Sequence, residues 1–159
     1  MADNTIQARG TELFISTDGT AVLKFNCPTA ITGGGVTVNT QEIDCLDAPQ
    51  AYDKPTGKKV KPWNVPFIYQ GGDTSHAYVL DMLNSADLSI AEIPFAIAWP
   101  DGSADPTITA GAFVPAAGRT QITGKGYITD VSVDINNGDV IRGSITLSPT
   151  STVVTKKAA

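Results

Sequence analysis

The sequence has few charged residues, and the basic ones are the scarcer kind. Of 159 residues, 17% are charged, with eleven Lys and Arg against sixteen Asp and Glu, and the net charge is -5. Soluble domains are on average about one quarter charged. A nucleic-acid-binding surface needs clustered Lys and Arg for its phosphate contacts. The composition therefore argues against specific DNA or RNA binding, since the main basic cluster is the short run from Lys54 to Lys61.

Cysteine and histidine are almost absent. Cys27 and Cys45 are the two cysteines, and His76 is the single histidine. A metal site needs clustered Cys, His or carboxylate ligands, and no Ser or Cys lies in a nucleophile motif that His76 could activate. We therefore predict no catalytic residue, no metal and no cofactor. Two cysteines without an export signal predict free, buried thiols.

Long hydrophobic runs are also missing. No apolar run approaches the roughly 20 residues that cross a bilayer. Residues 1–10 are polar and lack the apolar segment of a signal peptide. We expect a protein made in a cytoplasm, with no membrane partner. A length of 159 residues suits one domain, residues 1–159, with polar arms at residues 1–10 and 150–159.

The clearest pattern in the chain is a hairpin over residues 124–147. Alternate residues such as Val131, Val133 and Ile135 fall on one face, as in a half-buried strand. A turn at residues 136–139 contains Asn and Gly, which accept positive φ. Further strands are predicted at residues 11–16, 21–26, 41–46, 63–70, 93–99 and 107–114.

One helix is predicted at residues 75–86, capped by Asp73 or Thr74. Short strands with turns between them are typical of β-sandwiches and barrels. The expected fold is mainly β, a two-sheet antiparallel β-sandwich with one flanking α-helix.

Residues 47–61 are predicted to be a long loop between strands 41–46 and 63–70, which would pair as a hairpin with an extended tip. Loops of this length are functional or disordered. Its lysines fit an anion site, a solvated loop, or one side of ion pairs across an interface. Trp63, Trp99 and Tyr52 fit either a sugar-stacking face or core and interface packing. A monomeric carbohydrate-binding or adhesin-type module is therefore an alternative function.

The order of these elements resembles the major tail tube proteins of long, non-contractile-tailed bacteriophages. Three stretches carry the resemblance. They are residues 31–47, ending Glu42-Ile43-Asp44-Cys45-Leu46-Asp47; the loop and residues 63–83, with Gly71-Gly72-Asp73; and residues 93–148, with Trp99-Pro100-Asp101-Gly102.

The resemblance implies a structural virion protein, not an enzyme, located in the tail and assembled in the host cytoplasm. Six copies would form a ring, and rings would stack into a hollow tube for genome ejection. The inner sheets would join into a ring-wide β-barrel, through which DNA passes without specific binding. Other partners would be tape measure, tail terminator and distal tail proteins. A related ring protein, such as a secretion-system tube subunit or a tail-completion protein, is a second alternative.

The resemblance also implies roles for particular residues. The inner sheet would contain strands 41–46, 63–70, 107–114 and 120–126, and both arms would lie on neighbours. The loop between rings would use Asp47, Tyr52, Asp53, Lys54, Lys58, Lys59 and Lys61. The lumen would be faced by Glu42, Asp44, Gln121, Thr123 and Lys125. The helix would contact an adjacent subunit through Ser75, His76, Tyr78, Val79 and Met82.

Overall fold

A computed structural model of the chain describes residues 8–44, 50–84 and 91–157. As predicted, the fold is mainly antiparallel β-structure with one helix. The elements are β1 (Glu12–Ile15), β2 (Leu23–Phe25), β3 (Thr32–Gly33), β4 (Val36–Ile43), β5 (Tyr52–Val60), β6 (Trp63–Ile68), α1 (Thr74–Asn84), β7 (Ile93–Ala98), β8 (Thr107–Thr109), β9 (Ala112–Val114), β10 (Gln121–Asp134) and β11 (Arg142–Thr155).

The main sheet is built on the β10–β11 ribbon. Its seven strands lie in the order β2-β1-β7-β10-β11-β6-β3. At one end of the ribbon Gln121 pairs with Thr155, and at the other Asp134 pairs with Arg142. β7 pairs with the first half of β10, whereas β6 pairs with the first half of β11. Strands β1, β2 and β7 therefore flank one half of the ribbon, and β6 and β3 flank the other.

Residues 23–33 connect the two edges of this sheet. β2 pairs with β1 at one edge. The chain then crosses to β6, where the Thr29 amide donates to the Pro66 carbonyl (2.8 Å) and the Ile68 amide donates to the Cys27 carbonyl (3.2 Å). The sheet curls so that its halves face each other across the core, which gives the predicted sandwich. The described strands of the monomer form no closed barrel.

The core lies between the two halves of the sheet. Phe25 on β2 packs edge-on against Phe67 on β6, with ring centroids 5.1 Å apart. The cluster consists of Leu13, Ile15, Phe25, Val65, Phe67, Val79, Ile93, Phe95, Ile97, Ile145 and Leu147. A smaller cluster on the opposite face of the sheet joins Phe14, Ala96 and Ala98 to Phe113 of β9. The β8–β9 hairpin therefore covers part of that face.

Helix α1 is fixed at its N-terminus by a polar network. The Asp73 carboxylate accepts hydrogen bonds from the backbone amides of Ser75 (2.8 Å) and His76 (3.2 Å), and from the Asn26 side chain. His76 Nδ1 accepts from the Gln70 amide at 3.0 Å, and Nε2 lies 2.8 Å from the Asn26 carbonyl, to which it donates. The imidazole also stacks on Phe67, with centroids 4.8 Å apart. The helix is thus joined to both β2 and β6.

Three predictions about the strands are wrong. Residues 52–60 form β5, paired with β4, so strands 41–46 and 63–70 are not hairpin partners. Residues 107–114 form a hairpin that turns at Ala110 and Gly111, both with positive φ. Residues 150–155 continue β11 along β10, where a polar arm was expected. In each case backbone pairing with a neighbouring strand overrides weak local propensity.

The alternation predicted for residues 127–135 also fails. Register shifts occur between Lys125 and Gly126 and between Ile128 and Asp130. A bulge adds a residue and reverses the facing of those beyond it. Ile128 and Val131, which strict alternation places on opposite faces, therefore both pack against the core.

The Asp73 cap generates a stability prediction. We expect Asp73→Ala to lower the free energy of unfolding by about 1 kcal/mol, because capping side chains contribute about that much. Hydrogen bonds from the Ser75 hydroxyl, the Asn26 amide and the backbone lower the pKa of Asp73 to about 2. Since the folded pKa lies below the ordinary 3.8, this contribution is complete above that value and lost as pH falls toward 2.

Urea unfolding at pH 7 and at pH values between 4 and 2 tests this. Asp81, exposed on the same helix, provides the matched control, and Asp81→Ala should change stability by less than about 0.5 kcal/mol. Equal destabilisation by the two substitutions would contradict the assigned cap.

Candidate assembly surfaces

The β4–β5 hairpin stands apart from the main sheet. Its two strands pair only with each other, and every residue in them is exposed except Ile43 and Val60, which are half-buried. Neither strand contributes to the two core clusters. Two-stranded hairpins are marginally stable on their own in water. A hairpin with both faces in solvent is therefore suited to packing on another molecule.

The two faces of the hairpin differ in charge. Alternation along β4 places Lys59 and Lys54 on one face, opposite Thr37 and Gln41. The other face carries Val36, Val38, Val60 and Lys58 near the base, then Glu42 directly opposite Asp53. Like charges placed opposite each other repel. One face is therefore basic, whereas the other is apolar at its base and acidic toward its tip.

The predicted inter-ring residues lie on this hairpin and beside it. Tyr52, Asp53, Lys54, Lys58 and Lys59 belong to β5. Lys61 follows the strand, and its amide donates to the Gly35 carbonyl at 2.9 Å. Asp47 and Cys45 lie outside the described residues, as does most of the predicted N-terminal arm. The lysines are thus positioned by a paired strand where a loop was predicted.

The five predicted lumen residues do not share one open surface. Glu42 is exposed on the hairpin, and Asp44 is exposed just beyond β4. Gln121 and Thr123 lie on the face of β10 that the β8–β9 hairpin covers, and they are 0% and 7% exposed. The prediction that these two line a lumen is wrong, because Phe113 packs over the same face. Lys125, farther along this face, is half-buried.

Gln121 is an unusual residue in this covered layer. Neither its Oε1 nor its Nε2 has a hydrogen-bond partner among the described residues. A buried, unpaired amide is unfavourable by roughly 1–3 kcal/mol. The sequence did not indicate that Gln121 is buried, because its neighbours on the same face of β10, Thr123 and Lys125, are also polar.

The helix offers fewer contact residues than predicted. Ser75, His76 and Val79 are fully buried within the chain itself, so their expected role at a subunit contact is wrong. Tyr78 and Met82 are half-buried and remain accessible. Burial raises the pKa of the Tyr78 hydroxyl. The capping network that holds His76 was visible in sequence only as an Asp before a helix.

The second half of β11 has an unpaired edge. β6 pairs with β11 only from Arg142 to Leu147, whereas β10 pairs with β11 as far as Thr155. From Ser148 onward, one edge of β11 has no strand partner among the described residues. Val153 and Val154 in this segment are 62% and 58% exposed. Unpaired strand edges readily accept a strand from another chain.

The two tryptophans line one cavity at the opposite end of the ribbon from its turn. This indole cavity, of about 310 Å³, is lined by Ala8, Thr11, Ile31, Trp63, Ile97, Trp99, Pro100 and Ile122. Tyr52 lies instead on the hairpin, opposite Ile43. The three aromatic residues therefore form no common stacking face, and the sugar-binding alternative loses its proposed platform.

Among the described residues, no group of three His, Cys, Asp or Glu side chains is arranged to hold a metal ion. No helix in these ranges combines the length and apolar character needed to cross a membrane.

The chain is similar to proteins of one known family. Residues 4–159 match the model of a family described as phage tail tube, TTP, lambda-like. Structural protein 3 of Pseudomonas phage PAJU2 is 24% identical over 152 residues, covering 90% of this chain and 88% of that protein.

Two solved structures show the same fold at low sequence identity. The SPP1 tail tube protein superposes with a TM-score of 0.69 at 12% identity, covering 98% of this chain and 81% of that one. The sheath/tube terminator of an extracellular contractile injection system, PVC, gives 0.70 at 12% identity, covering 98% and 100%. The described fold thus occurs in both a tube protein and a terminator.

The exposure of the β4–β5 hairpin predicts a hydrogen-exchange pattern. In the unassembled chain, we expect amides of β4 and β5 to exchange at least roughly tenfold faster than those of β7, which is buried on both faces. Exchange measured by mass spectrometry on dilute protein would show this. Equal protection of β5 and β7 in the monomer would contradict it.

Proposed function

This chain belongs to the lambda-like phage tail tube family, and we propose that six copies form a ring and that rings stack into the hollow tube of a phage tail. The family consists of structural proteins, so the chain is a structural protein and not an enzyme. The proposal rests on one observation. Among the described residues, one edge of β11 has no partner strand, and the β4–β5 hairpin pairs with no other strand of the monomer.

Ring formation is supported by the open edge of β11. In the proposed ring, residues 148–155 pair with a strand at the edge of the neighbouring copy's sheet. Repeated around the ring, this pairing joins the sheets into one continuous barrel and satisfies the edge in every copy. Tyr78 and Met82 of α1 contribute to the same neighbour contact.

Ring stacking is supported by the β4–β5 hairpin. Its basic face, with Tyr52, Lys54 and Lys59, packs on acidic residues of the next ring, and Lys61 follows the strand at the base of the hairpin. Asp53 and Lys58 lie on the opposite face, away from this contact. Asp47, which lies outside the described residues, is assigned to the same contact by its place in the sequence. The excess of acidic residues leaves enough partners for these lysines.

The lumen allows DNA to pass without binding it. Glu42, Asp44 and Lys125 are the predicted lumen residues that remain accessible. The net charge is -5 and the main lysine cluster lies on the β4–β5 hairpin, so the chain offers few cations to retain phosphates in the lumen. The tube is a component of the virion tail, and its ends contact other tail proteins, including a terminator, a distal tail protein and an internal tape measure.

Electron microscopy of the purified protein, after light scattering over a range of concentrations, tests the proposal. Hollow tubes or six-membered rings are the expected result. Rings with another number of subunits contradict the hexamer, and a strict monomer at every concentration contradicts self-assembly.

The two faces of the hairpin provide a matched pair of substitutions. Lys58 and Lys59 are adjacent in sequence but lie on opposite faces. We expect Lys59→Glu to raise the concentration needed for tube formation by roughly tenfold, because attraction to the next ring becomes repulsion. Lys58→Glu makes the same charge change on the face that already carries Glu42 and Asp53, and should have a smaller effect.

Salt provides a second measurement, since screening weakens contacts between exposed charges. Assembly of the wild-type chain should therefore weaken at high salt, and assembly of Lys59→Glu should depend on salt less. Equal effects of the two substitutions would show that the basic face is not the contact surface.

A further inference from the structure

We propose that the tip of the β10–β11 ribbon of one copy inserts Ile135 into the indole cavity of another copy. This contact rests on the proposed function, because it places copies head to tail. It assigns a partner to the indole cavity and to the most exposed large hydrophobic residue among the described ones.

The cavity is built to receive an apolar group. Its walls are tryptophan and isoleucine side chains, and an apolar cavity of this kind does not hold ordered water well. Val154, opposite Ile122 and on the same face, extends the apolar surface to the edge of β11.

The occupant is the turn that joins β10 to β11. Ile135 is 76% exposed in the monomer, although it directly follows a strand. Asn136 and Asn137 come next and are also exposed. Gly138, with φ of 82°, and the bond from the Asp139 amide to the Asn136 carbonyl (3.3 Å) fix the turn.

The tip cannot reach the cavity of its own chain. Ile122 lines the cavity at one end of β10, whereas Ile135 lies just beyond the other end. At about 3.3 Å per residue, roughly 40 Å of strand separates the two. Pairing with β11 along this length holds the strand extended. The contact therefore joins two copies.

Charge complementarity supports the same orientation. The tip carries Asp134 and Asp139, the latter 3.3 Å from Arg142. The cavity end carries Arg9, next to Ala8, and Lys156 and Lys157, which follow the last residue of β11. Asp101, beside Pro100, partly offsets Lys157, and Glu12 is already paired with Lys24 and Arg119, so this end keeps a positive excess. Opposite charges at the two ends favour a head-to-tail approach over head-to-head or tail-to-tail approaches.

Such a contact joins the turn of one copy to the cavity of the next, and these are two different surfaces. A heterologous interface of this type leaves a tip free at one end and a cavity free at the other, so it can repeat indefinitely along an axis. It would act together with the β4–β5 hairpin in stacking rings.

Disulfide cross-linking tests the contact directly. In a full-length Cys27→Ser, Cys45→Ser background, Ile135→Cys and Trp99→Cys are introduced singly and together. The double variant should form a ladder on non-reducing gels. An equimolar mixture of the two single variants should form 135–99 heterodimers, in at least tenfold greater yield than a control in which Val22→Cys replaces Ile135→Cys. Like Ile135, Val22 is an exposed β-branched residue, 40% accessible, but it lies outside the turn.

Assembly and fluorescence provide the second readout. Both tryptophans line the cavity, so filling it should shift indole emission to shorter wavelength when tubes form. Ile135→Asp should raise the assembly concentration at least tenfold and abolish the shift, whereas Val22→Asp should do neither.

The outcomes separate this contact from the proposed function. If the wild-type chain forms tubes but Ile135→Asp assembles normally and cross-links fail, the contact is overturned and the tube stands. If cross-linked ladders form but no tubes or rings appear, the contact stands and the proposed function fails.

Discussion

Backbone hydrogen bonding by residues 23–33 is the constraint on which the rest of this fold depends. This one segment pairs with β1 at its start and with β6 at its end. Buried backbone groups must be paired, and here one connection satisfies groups at both edges of the sheet. It also places Phe25 in contact with Phe67, and it positions His76 between β2 and β6. Without that connection, nothing would hold the two halves of the sheet together around the core.

Completing the core in this way determines which surfaces remain for assembly. β10 and β11 each extend beyond their outer neighbours β7 and β6, so residues 127–134 of β10 and 148–155 of β11 each keep one edge without a strand partner among the described residues. The β4–β5 hairpin leaves the sheet directly after β3 and rejoins it at β6, and it contributes nothing to the core. The low charge content noted in the sequence is consistent with a chain that buries much of its surface against copies of itself.

The sequence predicted those parts of the fold in which side-chain pattern and backbone structure agree. The apolar run Ile93–Ala98 became β7, the Asn-Gly turn joined β10 to β11, and Asp73 capped α1. β5 was missed because Pro55, Gly57 and the lysines have poor strand propensity, although pairing with β4 decides its structure. The burial of Gln121 depends on the distant β8–β9 hairpin, and no local pattern reports such a tertiary contact. The sequence predicted the helix, but for the same reason it did not show that His76 is buried.

The separation of the hairpin from the core has a consequence for how such chains diversify. Substitutions in β4 or β5 remove no contact from either hydrophobic cluster, so folding places little restriction on these residues. In the proposed tube, the restriction comes from whichever surface the hairpin meets on another copy, and that surface is encoded by the same gene. Hairpin and receiving surface can then drift together within one lineage while the shared core stays fixed. Subunits from two diverged lineages, expressed in one cell, would each fold normally and yet sort into separate tubes.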